Sequence, residues 1–266
     1  MRIRITFLVL IFAALSLNAQ YALVDFMYVP EGGDETYIKM EQSYAKPVHQ
    51  RLIDEDKLNY WGLFRVAYPA GTGADYQYVT VRIYEGADQL ANATAFNETF
   101  EKVHENEILE ALMSTVVNTR DLVETHRLYR WEMFQDPNLE AHPKILQVVY
   151  FKNPMSKWEN YQKMEKELYH PMHKKEIEMG LRAGWQGYEL QSPMGSSMPY
   201  SHVAVDSYKD WEQYMKPKKE EAVLRAAHPK KTMEEINEVF YQTAALVRME
   251  EWHLIDYVQK MPEEEN

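Results

Sequence analysis

The chain contains no cysteine, which removes disulfide staples, thiol nucleophiles and thiolate metal sites together. The fold must therefore be held by its core, and c-type haem attachment through Cys-x-x-Cys-His is excluded. Basic charge is also scarce: 29 Lys and Arg against 41 Asp and Glu leave a net −12 at pH 7. Nucleic acid and anionic lipid both repel such a chain, so neither is expected as its main partner. There is no P-loop, G-x-G-x-x-G, G-x-S-x-G or H-E-x-x-H, which disfavours nucleotide handling and serine hydrolysis.

Long apolar runs are missing too, apart from Phe7 to Leu15 near the start. That run is short for a bilayer span. Arg2 and Arg4 precede it and small residues follow, which is the form of a secretory signal peptide over residues 1–19. It predicts a secreted or periplasmic protein with no membrane insertion after cleavage, an uncleaved anchor being the alternative. The remaining length suits two domains of ordinary size.

What the sequence does contain is a repeat. Tyr37, Lys39, Met40, Glu41, Pro47, His49, Ile53 and Trp61 return as Tyr161, Lys163, Met164, Glu165, Pro171, His173, Ile177 and Trp185, always 124 residues later. Aligned without gaps, residues 22–134 and 146–258 share 23 identities, enough to mark an internal duplication rather than a shared composition. No shorter period appears, so a solenoid is excluded.

Each copy reads in the same order. In the first, Ala22–Val29 is a strand buried on both faces, and Pro30, Gly32 and Gly33 end it. Tyr37, Met40, Tyr44, Val48 and Leu52 then fall at helical spacing. Strands follow over Leu58–Tyr68 and Tyr76–Tyr84, the latter alternating Val79, Val81, Ile83 against Tyr78, Thr80, Arg82. Ala87–Val117 reads as a helix broken near His104, and Asp121–Phe134 as a long last strand. The order β-α-β-β-α-β defines a ferredoxin-like repeat. The expected organisation is a signal at 1–19, repeat 1 at 21–134, a polar linker at 135–143, repeat 2 at 144–259 and a disordered tail at 260–266.

Two such repeats with long last strands resemble the dimeric α+β barrel superfamily in a single-chain, duplicated form, with NIPSNAP-like and antibiotic-biosynthesis-monooxygenase-like proteins among its members. The resemblance implies an α+β fold. Two tandem ferredoxin-like repeats would pack as a pseudo-two-fold barrel, a pseudo-dimer within one chain. Two sheets would lie face to face, helices outside, with a ligand cleft in each half. No family's catalytic motif is complete here. At equivalent positions the copies carry opposite charges: Arg65 against Glu189, Arg82 against Asp206, Glu124 against Arg248 and Arg127 against Glu251. That pattern predicts ion pairs across the two halves, drift at solvated strand ends being the alternative.

Candidate site residues come from the repeated helix. At 100° per residue Glu41 falls about 40° from Tyr37, inside the apolar stripe, and Glu165 does the same. His49 falls at the stripe's edge, about 120° round, where Pro47 can bend the helix. Glu41, His49, Glu165 and His173 are therefore the candidate catalytic residues, as proton acceptors tuned by burial. Tyr44, Trp61, Tyr169 and Trp185 are the candidate ligand-binding residues. The competing reading is structural, with each Glu tying down a Tyr or a backbone amide and each Trp serving as core.

His170 and His173, with Glu165 and Glu176 nearby, have a spacing that can hold Zn²⁺ or Cu²⁺, although copy one has Lys46 in place of His170. A b-type haem would need one axial imidazole, for which His49, His126, His173 and His202 are the right type. No cofactor is expected otherwise. The sequence thus points to an exported protein that binds a small apolar or aromatic molecule or another partner. The alternative is a cofactor-free monooxygenase or isomerase acting on such a compound.

Overall fold

The structure, a computed structural model, describes residues 20–71, 73–104 and 118–260. The signal-like segment 1–19, much of the second helical stretch expected up to Val117, and residues 261–266 of the tail lie outside the described residues.

The first half runs β1 (Gln20–Tyr28), α1 (Asp34–Met40), α2 (Lys46–Asp54), β2 (Tyr60–Tyr68), β3 (Tyr78–Glu85), α3 (Gly86–Ala91), α4 (Phe96–Val103) and β4 (Asp121–Gln135). The second runs β5 (Ile145–Lys152), α5 (Trp158–Met164), α6 (His170–Glu178), β6 (Gly184–Ser192), β7 (His202–Tyr208), α7 (Trp211–Tyr214), α8 (Glu220–Ala227), α9 (Met233–Thr243) and β8 (Ala245–Gln259).

The expected architecture, two ferredoxin-like repeats packed with their sheets face to face as a dimeric α+β barrel, is corrected here. The eight strands instead hydrogen-bond all the way round as one closed antiparallel barrel, in the order β1-β3-β2-β8-β5-β7-β6-β4. The cause lies in β4 and β8, at 15 residues each far longer than the others. β4 pairs with β1 along Asp121–Arg130 and with β6 along Arg127–Gln135. β8 pairs in the same divided way with β5 and β2. Each long strand stitches one half to the other, and closure removes the free edges that two separate sheets would expose.

Closure also explains why the expected charge pairs do not form. Equivalent strands stand four places apart in the ring, on opposite sides of the barrel. Arg82 pairs instead with Asp25 at 2.6 Å, Glu124 with His126 at 2.9 Å and Arg248 with Glu250 at 2.6 Å, while Asp206 pairs with Arg182.

The alternation of the strands sorts side chains into three apolar clusters. Inward residues such as Val24, Phe64, Val79, Val148, Tyr188 and Val203 form the barrel interior. Outward residues of the first half, with Trp61 and Tyr78 fully buried, pack beneath α1, α2 and α4. Those of the second half, around Trp185, pack beneath α5, α6, α8 and α9.

Candidate functional site

In each half the helix after the first strand is interrupted by one wider, π-helical turn, at Glu41–Ala45 and Glu165–Tyr169. Its cause is two residues downstream. Pro47 and Pro171 lack a backbone N–H, and their rings would strike the carbonyl one turn back, so the helix widens there. The Lys46 and His170 amides accordingly reach back five residues, to the carbonyls of Glu41 and Glu165. Each turn is tied down by a repeated histidine: His104 Nε2 lies 3.0 Å from the Tyr44 carbonyl, and His228 Nε2 lies 2.7 Å from that of Leu168.

The first π turn opens onto a cleft of about 360 Å³ between helices and barrel wall, within the usual size of small-molecule sites. Four of the candidate residues, Glu41, Tyr44, His49 and Trp61, line it together. Glu41 is 6% exposed. Burial raises its pKa to about 7, against the opposing pull of Arg120 and the Tyr37 hydroxyl. The Tyr37 hydroxyl stands beside this carboxyl without completing a hydrogen bond in the structure. His49 stacks on Trp61 at 5.1 Å and touches Phe96. Burial, with Arg82 nearby, pushes it well below its ordinary pKa, so its imidazole is neutral.

Two cationic residues of this cleft were not singled out from the sequence as site residues. Arg82 is neutralised by Asp25, whose second oxygen also accepts from Thr125 Oγ1 at 2.7 Å. Arg120 is different. Its buried Nε has no partner, and its charge acts on Glu41 and Tyr37 from a distance. A signal for both existed: the second copy has Asp206 and Ala244 where these arginines stand.

The second copy brings Glu165, His173, Tyr169 and Trp185 together as well, within a network of carboxylates and Arg182. His173 stacks on Trp185 at 4.7 Å and lies between Glu165, 3.7 Å from Nε2, and Glu176, 3.5 Å from Nδ1. Despite burial, these carboxylates raise its pKa. Arg182 completes the network by pairing with Glu176 at 2.7 Å and with Asp206. Tyr169 stands where the first copy has Ala45, and its ring stacks toward His173 at 6.2 Å.

His170 does not face His173 across a metal-sized gap. It packs among Trp131, Phe134 and Trp185, and burial lowers its pKa to about 3. Among the described residues no cluster of three or more His, Asp or Glu is arranged to hold a metal ion.

No protein-family profile matches the sequence, and no curated protein matches it. Among solved structures, one that the chain is similar to is a proposed monooxygenase from Fusobacterium nucleatum subsp. nucleatum, with TM-score 0.57, 10% identity, and 91% of this chain and 94% of that one covered. Another is a mutant chlorite dismutase from Candidatus Nitrospira defluvii, with TM-score 0.50, 8% identity, and coverage of 89% and 92%. At such identities the likeness shows the fold alone. It marks no family.

Proposed function

We propose that the first-half cleft binds a small apolar or aromatic compound bearing an acidic or enolisable oxygen and transfers a proton on it. The observation that carries this reading is a buried carboxyl with a pKa near 7 sharing a cleft with Arg120, whose buried Nε has no hydrogen-bond partner. A carboxyl poised at neutral pH can both take and return a proton. A guanidinium that forms no ion pair among the described residues is suited to the oxyanion that appears when it does so. In a β,γ-unsaturated ketone, Glu41 would remove a proton from the carbon between the carbonyl and the C=C bond, the C–H pair would form a new C=C bond as the carbonyl π pair moved onto the oxygen at Arg120, and the dienolate would re-form the carbonyl by taking the proton back from Glu41 at the far alkene carbon. Atoms balance with no external oxidant, and the outcome is isomerisation. Trp61, Phe96 and Phe100 supply the apolar wall, and His49 supplies a neutral polar contact. The second copy keeps Glu165, His173 and Trp185 but has no arginine at the positions of Arg82 and Arg120, which supports one working site per chain. The signal-like start supports an exported setting.

Haem fits these residues poorly. His126 is held by Tyr200 through Nδ1, His173 lies between two carboxylates, and His202 is enclosed by Trp158 and Tyr161. His49 borders the cleft, but its Nδ1 is enclosed, and the buried Glu41 shares that wall and would be left against an apolar macrocycle.

The test is proton exchange. A panel of enolisable ring ketones is incubated with the full chain in D₂O and followed by NMR. The expected result is deuterium uptake that rises with pH through about 7 and is lost in Glu41→Gln, with Arg120→Gln weakening binding of 2-hydroxybenzoate about tenfold. Equal exchange by parent and Glu41→Gln across the panel would sink the proposal.

A further inference from the structure

A second cavity lies inside the barrel itself, distinct from the cleft under the helices. It measures about 600 Å³ and is lined by inward residues of all eight strands. An eight-stranded barrel is just wide enough either to be filled by its own side chains or to hold one small ligand; this one is left open over much of its length. One end is shut by a buried polar layer. Glu250 there accepts from Tyr76 Oη at 2.6 Å, Trp252 Nε1 at 2.7 Å and Tyr150 Oη at 3.2 Å, while Arg248 pairs with it at 2.6 Å. Above that floor the wall is aliphatic, with Val24, Leu128, Val148 and Val203 facing inward.

The other end has different chemistry. Arg130 lines it, beside the Tyr188 hydroxyl, and among the described residues no carboxylate forms an ion pair with it. Tyr60 is 8% exposed, and its buried hydroxyl has no hydrogen-bond partner. Its ring lies across Gly62, where a β-carbon would come within 2.2 Å of the hydroxyl, so residue 62 leaves room for the ring only as glycine. His142, from the connection between the two halves, rests on the Tyr60 ring at 5.0 Å and beside Tyr257 at 4.8 Å. The chamber is therefore apolar at depth and polar at its mouth, where Arg130 and Lys260 stand with Glu85 and Glu140, and Lys260 is paired with Asp56 at 2.7 Å; one unsatisfied hydroxyl and an aromatic plug complete it.

We propose that the barrel interior is a second binding site, for an amphipathic carboxylate whose apolar chain enters the aliphatic depth and whose head is held at Arg130 and the Tyr60 hydroxyl. Burying the chain supplies the favourable free energy. The guanidinium and hydroxyl orient the head, and each otherwise lacks a partner of that kind. His142 must move aside for entry, and its contacts are with two rings rather than with any charged group.

Dodecanoate titrated into the full chain, followed by calorimetry, tests this. Saturable binding of one equivalent is expected. Arg130→Gln should weaken it about tenfold, the loss of one charge-assisted hydrogen bond. Val205→Phe, which narrows the chamber from a partly buried wall position, should weaken it further. Arg120→Gln, in the other cleft, should leave it unchanged. Thermal unfolding of each variant confirms that it is folded. No binding by the parent, or binding lost in Arg120→Gln and retained in Arg130→Gln, overturns the proposal; the latter result would move the ligand to the cleft under the helices and leave the proton-transfer reading standing.

Discussion

Glu41→Gln offers a quantitative test of the cleft's electrostatics without knowledge of any substrate. Burial moves Glu41 from 4.5 to about 7, so between those values the folded chain holds a proton that the unfolded chain has released. A raised carboxyl pKa gives stability that is fully present below the unfolded value and lost as pH rises through the folded one. Two and a half pKa units correspond to about 3 kcal/mol. Gln keeps the shape and carries no charge, so it should not show this loss. The measurement is urea unfolding of parent and Glu41→Gln at intervals from pH 4 to pH 9. Ionisable groups far from the site titrate alike in both proteins and cancel in the difference. At pH 4 the two should lie within about 1 kcal/mol. By pH 9 the variant should have gained about 3 kcal/mol on the parent, with the change centred between pH 4.5 and about 7. A difference that stays flat with pH would show that Glu41 is solvated in the folded chain, and the argument from burial would fail with it.

The second half should respond in the opposite spirit. Arg182 is 8% exposed and holds both Glu176 and Asp206, so Arg182→Met should cost about 3 kcal/mol by chemical denaturation, because two carboxylates whose side chains are only 14% exposed lose their cation. His104→Ala and His228→Ala should each cost about 1 kcal/mol, since each removes the hydrogen bond that ties down a π turn; no change in either would mean that the turns are held by their prolines alone.

The helix phase drawn from Tyr37, Tyr44 and Val48 put Glu41 and Glu165 on the barrel-facing stripe, and both are buried there, at 6% and 4% exposure. That much is local and survives in a single sequence. The gathering of Glu41, His49, Tyr44 and Trp61 was also legible, because two turns of one helix and the next strand bring them close whatever the rest of the chain does. Barrel closure was not. Alternation says which residues of β4 share a face, but nothing in it says that Arg127–Gln135 will pair with β6 rather than end in solvent. The roles of Arg82 and Arg120 were hidden for a related reason, since they reach the cleft from β3 and from the approach to β4, far along the chain from Glu41. The difference in charge between the copies marked Arg82 and was read as a seam between halves; instead Arg82 pairs with Asp25 beside the first cleft, and Asp206 pairs with Arg182 in the second half.

The closed barrel has a practical consequence for anyone who handles the protein. Gln20 at the start of β1 and Gln259 at the end of β8 both border the open end of the interior chamber, as does the 136–144 connection through Leu139 and His142. A purification tag, a fluorescent fusion or a surface tether joined close to either of these strand ends would emerge on that rim. It would stand over the mouth as a cork stands over a bottle, whereas the rim beside Glu250 carries neither end. Binding studies on the interior are therefore best made with tags cleaved, and an attachment meant to leave the chamber accessible belongs in the 69–77 or 193–201 connections at the opposite rim.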